Sequence, residues 1–486
     1  MLAMVLRPFG FVMTAVLLAA SLCPGQARHP LADKPEVAAA LSVLDSWIAA
    51  TAAEQEQPGL SVGIVYDQDL IWAKGYGFAD VERKVPATPA TLYRIASISK
   101  LFTATAIMQL RDAGKLRLDD PVGERLPWFS IRKNYEGGPP ITIRQLITHT
   151  SGLPREVEGL NWSDLTYPAR EELRKRVPGQ TTVFPPETHW KYSNLAVSLA
   201  GEVVAAVSGE PWPQYVERHI LRPLGMNAST PAPTRGMKGL TAGYGRRVPG
   251  HAREIEPFVD AAAEAPAANI ASNVEDLARF VSLQFRDGAA GGRQVLRGST
   301  LREMHRVQWL RPDWQSGWGL GFSIRRAGEQ VRVGHPGSLP GNTTLVELAP
   351  ADKLGVIVLT NANDGNPPRY AEQAFRLLTP ALAKATAEAK PKTADPAWQA
   401  YVGRYAWKHS YIEIKVLNGE LVMISLDGDS PWESRTLLEP AGPHAFRMVS
   451  PGMSYGPTGE LLTFDMDAGG KVRRVETPYY YWVPAK

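Results

Sequence analysis

Cysteine is almost missing from this chain: among 486 residues only Cys23 carries a thiol. A single cysteine closes no internal disulfide, so the fold must rest on its hydrophobic core, and the chain is long enough to build one. Nine histidines include no closely spaced pair of the H-x-x-x-H kind, so neither a dedicated metal site nor a metal cofactor is expected. Charge is moderate and mixed. With 21% charged residues, a net charge of +4 and no clustered basic stripe, the sequence offers nothing to a nucleic acid. No internal repeat is found. The marked apolar run at the N-terminus, Phe11 to Ala20, is too short to span a bilayer comfortably.

That run reads instead as an export signal. Arg7 supplies a positive start, Phe11 to Ala20 the apolar centre, and Gly25-Gln26-Ala27 the small residues of a cleavage site. Residues 1–27 are therefore expected to be removed, giving a periplasmic or secreted protein with no transmembrane segment. Leu22 before Cys23 is bulky where lipoprotein signals prefer a small residue, which speaks against lipid attachment there. Cleavage after Ala27 also leaves no thiol nucleophile.

Periodicity divides the remainder. Val37, Leu41, Leu44 and Ile48 make one face of a helix from Val37 to Ala53, and Leu60–Tyr66 and Leu70–Tyr76 flank a hairpin turn. A middle stretch, 97–285, is helical and loop-rich, with helices expected at Ile143–His149, Leu195–Ser208, Trp212–Ile220 and Asn273–Phe285. Strands return at Gly319–Arg325, Gln330–His335, Thr343–Leu348 and Leu354–Thr360, followed by a helix from Arg369 to Leu382. Strands at both ends with helices between them imply an α+β unit, an antiparallel sheet plus a helical region, over residues 28–383. Residues 384–396, rich in Ala, Lys and Pro, read as a linker, and 397–486 as a small all-β barrel or meander. Tyr479-Tyr480-Tyr481-Trp482 is expected to pack the barrel core; the other reading is an aromatic face for a glycan or partner.

Chemistry concentrates at Ser97-Ile98-Ser99-Lys100, between a strand at Thr91–Ile95 and an apolar helix. At i and i+3 on a helix, the Lys100 amine stands beside the Ser97 hydroxyl. A serine hydroxyl needs such help to attack a carbonyl, and a helix N-terminus favours the oxyanion that follows. Tyr192-Ser193-Asn194 offers a second proton handler: a tyrosine between cations can have its pKa lowered enough to act as a base. The plainer reading is a half-buried tyrosine with Asn194 as a helix N-cap. His335-Pro336-Gly337-Ser338 ends a predicted strand, where Gly337 permits close approach of backbone and a neighbouring N–H can complete an oxyanion hole. Alone, a histidine at a strand end is more often a surface or packed residue.

Taken in order, Ser-x-x-Lys, Tyr-x-Asn and His-x-Gly resemble the three motifs of the serine β-lactamase/penicillin-binding family, in its class C-like branch with peptidase S12-type esterase and D-aminopeptidase relatives. The resemblance covers about 37–382 and includes His149-Thr150-Ser151-Gly152-Leu153 and Arg222-Pro223-Leu224-Gly225-Met226. It implies that Ser97 is acylated, that Lys100 eases its deprotonation, and that Tyr192 shuttles protons. It further implies that Asn194 holds Lys100 and the substrate amide or ester, and that the N–H groups of Ser97 and Ser338 bind the oxyanion. Which of Lys100 and Tyr192 takes the first proton stays open. His335 stands where β-lactamases carry lysine, and a neutral imidazole binds a substrate carboxylate less strongly. The resemblance thus favours an esterase or D-amino-acid peptidase with weak or no β-lactamase activity, acting on a small molecule or peptide.

Two other readings compete. A Ser-His-Asp triad lacks its G-x-S-x-G elbow here, since Gly337-Ser338-Leu339-Pro340-Gly341 has the wrong spacing. A slow penicillin-binding or ligand-sensing protein on the same fold would have no chemical need to hold Ser97, Lys100, Tyr192 and Asn194 together. Oligomeric state is not legible.

Overall fold

The structure, a computed structural model, describes residues 29–288, 292–387, 394–408, 410–417, 419–425, 435–450 and 458–485. The export signal and Cys23 lie outside them. The chain forms two compact units, Met1–Ala385 and Thr386–Lys486.

The first unit is built on a nine-stranded antiparallel sheet. Its order is Val85–Pro86, Asp69–Asp80, Gly59–Tyr66, Leu354–Thr360, Asn342–Ala349, Gln330–Leu339, Ser323–Ala327, Ser316–Trp318 and Trp309–Leu310. The central strands are buried on both faces, which is why Leu354–Thr360 reads as an unbroken apolar run. Their alternation splits the core. Leu60, Val62, Ile64, Val356 and Val358 face the helices Pro35–Glu54 and Pro367–Ala387, while Ile357 and Leu359 face Val274–Phe285 and the helical region. Pro35–Glu54 is long and apolar enough by composition to cross a membrane, yet it packs Val37, Leu41, Leu44 and Ile48 into this core. Asn273 caps Val274–Phe285 by accepting from the Asp276 N–H at 2.8 Å, a bond worth about 1 kcal/mol.

Three differences from the sequence reading have local causes. The strand expected over Gly319–Arg325 is interrupted: Gly321 turns left-handed (φ 86°), and Ser316–Trp318 and Ser323–Ala327 pair on either side of the turn. The helix at Pro367 runs on to Ala387, so the first residues read as linker are helical, and Lys384 pairs with Glu36 at 2.9 Å. Beyond Val216 the expected helix at Trp212–Ile220 widens into a π-turn over Glu217–Leu221.

The second unit is a closed barrel of eight antiparallel strands, from Gly403–Trp407 to Tyr481–Pro484, around Tyr405, Ile412, Ile414, Phe446, Phe464 and Trp482. The sequence reads β runs at 411–416, 420–424, 445–449 and 472–476, while four further strands, Gly403–Trp407, Thr436–Gly442, Leu461–Met466 and Tyr481–Pro484, escaped it. The aromatic tail divides. Trp482 is in the core, but Tyr479, Tyr480 and Tyr481 are 69%, 49% and 49% exposed, which corrects the core expectation for the tyrosines. Strand alternation sends Tyr481 outward when Trp482 points in.

Candidate active site

Ser97 sits in a 3₁₀ turn, Ala96–Ile98, that leads directly into the helix Ser99–Asp112. The expected strand before it is only Tyr93–Arg94, paired with Ala271–Ser272. Ala96 is fully buried and left-handed (φ 50°), a conformation that costs a residue with a Cβ of the order of 1 kcal/mol. Between these neighbours Ser97 is the residue that stays partly open: Thr91 to Ala96 and Ile98 to Lys100 are all buried.

Two donors converge on the serine oxygen. Lys100 Nζ lies 3.1 Å from Ser97 Oγ, and the Tyr192 hydroxyl donates to the same atom at 3.0 Å. The lysine is only 2% exposed, and its second hydrogen bond goes to the Ala267 carbonyl at 2.9 Å. Burial lowers its pKa to about 7, against the opposing pull of Glu264 and Glu156 and with a small push from Arg155. Tyr192 moves the other way. Burial raises its pKa well above the usual phenol value, although the Ser97 bond and Arg155 work against the rise. Lys100 and Arg155 do lie over its ring, 4.9 and 5.3 Å from the centroid, as the idea of a tyrosine between cations supposed. Desolvation outweighs them, so the expected lowering of the Tyr192 pKa is corrected. Burial thus favours the uncharged form of both side chains.

Asn194 departs from its expected place. The cap of helix Asn194–Ser208 is Ser193, whose hydroxyl accepts from the Ala196 N–H at 2.9 Å. Asn194 is the first helical residue, and its Nδ2 donates to both oxygens of Glu156, at 3.0 and 2.9 Å, rather than bonding Lys100. Its Oδ1 is buried without a partner. Lys100 meets the Ala267 carbonyl where the asparagine was expected.

His335, Gly337 and Ser338 lie on the strand Gln330–Leu339. A Cβ on Gly337 would collide with the carbonyl oxygen of Ile95 and with Thr344 Oγ1, so only glycine lets this strand close on the turn that holds Ser97. Ser338 follows with its side chain exposed and pairs with Thr343. The His335 ring is 1% exposed, and its Nδ1 lies 2.5 Å from the Pro336 carbonyl. Burial and the nearby Lys100 push its pKa down to about 3, so it is a neutral imidazole. Its ring packs near Trp318 and Tyr192, with centroids 5.4 and 6.2 Å away.

Several neighbours escaped the sequence reading as site residues. His149, noted only within a secondary motif, is buried with its ring 4.5 Å from Tyr192, and its Nδ1 accepts from the Ser193 N–H at 3.2 Å. Trp190 and Trp318 add aromatic wall beside it. Glu264 and Glu156 both act on Lys100, working to raise its pKa against burial. A glutamate far along the chain gives no periodic or spacing signal, so only folding reveals either one. Among the described residues no cluster of three or more metal-ligating side chains occurs.

The Beta-lactamase family model matches residues 44–381. Protein flp of Staphylococcus aureus (strain MW2) is 29% identical over 321 residues, 65% of this chain and 62% of that protein, so the chain spans less than two thirds of this relative's length. The octameric penicillin-binding protein homologue from Pyrococcus abyssi matches with a TM-score of 0.58 and 26% identity, covering 91% of this chain and 99% of that one. A D-stereospecific amidohydrolase from Streptomyces sp. shares the fold at a TM-score of 0.57 and 24% identity, over 68% of this chain and 97% of its own. Because the Beta-lactamase model matches residues 44–381, well over half of the chain, the chain belongs to the Beta-lactamase family.

Proposed function

We propose that this protein is an exported serine hydrolase that forms an acyl-enzyme on Ser97 and cleaves an ester or amide, as an esterase or D-amino-acid peptidase does. The observation that carries the reading is the convergence of Lys100 and Tyr192 on Ser97 Oγ at 3.1 and 3.0 Å. A lysine held near pKa 7 by burial is uncharged often enough to take a proton, and a tyrosine kept protonated is ready to give one. In acylation, Oγ bonds to the substrate carbonyl carbon and its proton passes to Lys100 Nζ. The scissile bond breaks as Tyr192 protonates the departing amine or alkoxide. In deacylation, water gives a proton to Tyr192 and its oxygen to the acyl carbon, and Lys100 returns a proton to Ser97 as Oγ leaves. The N–H groups of Ser97 and Ser338 are assigned to the oxyanion, a contribution of about 3 kcal/mol each.

Weak or absent β-lactam hydrolysis is part of the proposal. His335 is neutral and buried, so the third motif supplies no permanent cation for the carboxylate of a penicillin. Export rests on Arg7, the apolar run Phe11 to Ala20, and Gly25-Gln26-Ala27. The test is intact mass after exposure to a fluorophosphonate and, separately, to a penicillin, for wild type and Ser97→Ala. Adducts on wild type alone support the proposal. No adduct from either reagent on folded protein would replace it with a binding or sensing role.

A further inference from the structure

Beside the short strand Tyr93–Arg94 lies a cavity of about 370 Å³ that the acylation chemistry does not use. Arg94, Leu339, Pro340 and Asn342 line it, but Ser97, Lys100, Tyr192, His335 and Ser338 do not. Its size suits a small molecule, which such sites hold with apolar walls and a few placed polar groups. Arg94 sets it apart. That side chain is 5% exposed, and burial lowers its pKa to about 10 against the opposing pull of Asp260, so near neutral pH it is a buried cation. Its Nη1 donates to the Val259 carbonyl at 2.5 Å and its Nη2 to Asn269 Oδ1 at 2.9 Å, both neutral groups, while its Nε has no partner. A buried charge is costly unless it is paired. Two more wall residues carry polar atoms with nothing to bond, Thr241 at Oγ1 and Asn342 at Oδ1. Asn342 is 4% exposed, and its Nδ2 makes only a long 3.5 Å contact to the Pro340 carbonyl.

Asp80, Glu82 and Glu256 stand on the same walls, and among the described residues none forms an ion pair with Arg94. Each has another neighbour. Asp80 accepts from the Arg83 N–H at 2.9 Å, Glu82 from the Tyr244 hydroxyl at 2.6 Å, and Glu256 from Asn363 Nδ2 at 2.5 Å. A simple anion would face these three carboxylates against two cations, Arg83 and Arg94, and a simple cation would leave Arg94 unpaired. A ligand that carries both charges answers both walls. Met237, Leu240 and Phe258 add apolar surface, with the Phe258 ring centroid 4.7 Å from the Arg94 guanidinium carbon. We propose that this cavity binds an α-amino acid with an apolar side chain, its carboxylate on Arg94 and its ammonium among Asp80, Glu82 and Glu256. The planar guanidinium matches a carboxylate better than an ammonium would. Binding here needs no turnover and stands apart from the acyl-enzyme reading of Ser97.

Calorimetric titration of the full-length protein tests it, with racemic phenylalanine, 3-phenylpropanoate and phenylalaninamide as probes. The three share one apolar group and differ in charge. Wild type should bind phenylalanine about tenfold more tightly than either of the others, the size of one charged hydrogen bond. Met237→Trp fills the cavity from a half-buried loop position and should abolish binding. Glu256→Gln should weaken phenylalanine about tenfold by the same reasoning and should not weaken 3-phenylpropanoate. Arg94→Gln should lose binding too, but it also gives up the Val259 and Asn269 contacts. If that variant fails to fold, Met237→Trp and Glu256→Gln decide. No binding of phenylalanine to wild type, equally tight binding of 3-phenylpropanoate, or binding untouched by Met237→Trp overturns the proposal. Labelling of Ser97 by a fluorophosphonate is a separate readout: its failure removes the hydrolase reading and leaves the amino-acid site standing.

Discussion

Gly337 and Ile95 meet so closely that no side chain fits between them: a Cβ on Gly337 would overlap the Ile95 carbonyl oxygen. Ile95 stands two residues before Ser97, and Thr344 Oγ1 donates to that same carbonyl at 3.0 Å. This contact joins the third motif to the first and sets how near the strand comes to the nucleophile.

Gly337→Ala should therefore push the strand and the serine turn apart. We expect a loss of about 1–3 kcal/mol in stability, the usual cost of overpacking, with acylation falling about a hundredfold because small displacements at a reacting centre are that expensive. Thermal unfolding and fluorophosphonate labelling measure the two effects. An alanine variant of full activity would show that the strand position does not matter.

Lys100→Met should reduce acylation by about 10²–10⁴, the range of general-base contributions. In wild type the rate should rise through pH 7 and level off above it, as the lysine loses its proton. Stability carries the same signature. Between about 7, the folded value, and 10.5, the ordinary one, the unfolded chain binds a proton that the folded chain does not, so stability rises with pH across that window. Lys100→Met should lack the rise, which denaturant melts at pH 7 and pH 9.5 would reveal.

For Tyr192→Phe the ring contacts survive and the proton donor goes. The rate should drop about 10²–10³-fold for an amide, whose amine leaves only when protonated, and much less for an activated ester. Parallel kinetics on the two substrates test this, and an equal loss on both would argue against a donor role.

His335→Lys restores the residue type that β-lactamases carry, yet it should not restore their activity. The site is 1% exposed, and an ammonium there has no carboxylate partner, so about 3 kcal/mol of stability should be lost. A lowered melting temperature with no faster penicillin acylation is the expected pair of results.

Deleting the residues after Pro391 should leave a folded, acylable protein, because the first compact unit ends at Ala385 with its own core. Circular dichroism and fluorophosphonate labelling of the truncated chain check it. Aggregation with no labelled serine would show that the barrel is needed.

Local rules made much of this protein readable beforehand. Ser97 and Lys100 come together because a helical turn puts i and i+3 on one face, and the helix Val274–Phe285 starts at Asn273 because that side chain caps it. Gly337 was marked by its type, since a glycine beside a reactive strand end signals close approach. The break at Gly321 and the four missed barrel strands were hidden, because short β runs depend on partners that are distant in sequence.

What folding alone decided is the charge state of the site. Desolvation lowers the Lys100 pKa and raises that of Tyr192, and neither residue identity nor spacing carries that information. Asn194 found Glu156 instead of Lys100, and Lys100 found the Ala267 carbonyl, a partner far along the chain. Residue identity and spacing name the chemical groups. Burial and long-range contact determine which of them carries a proton.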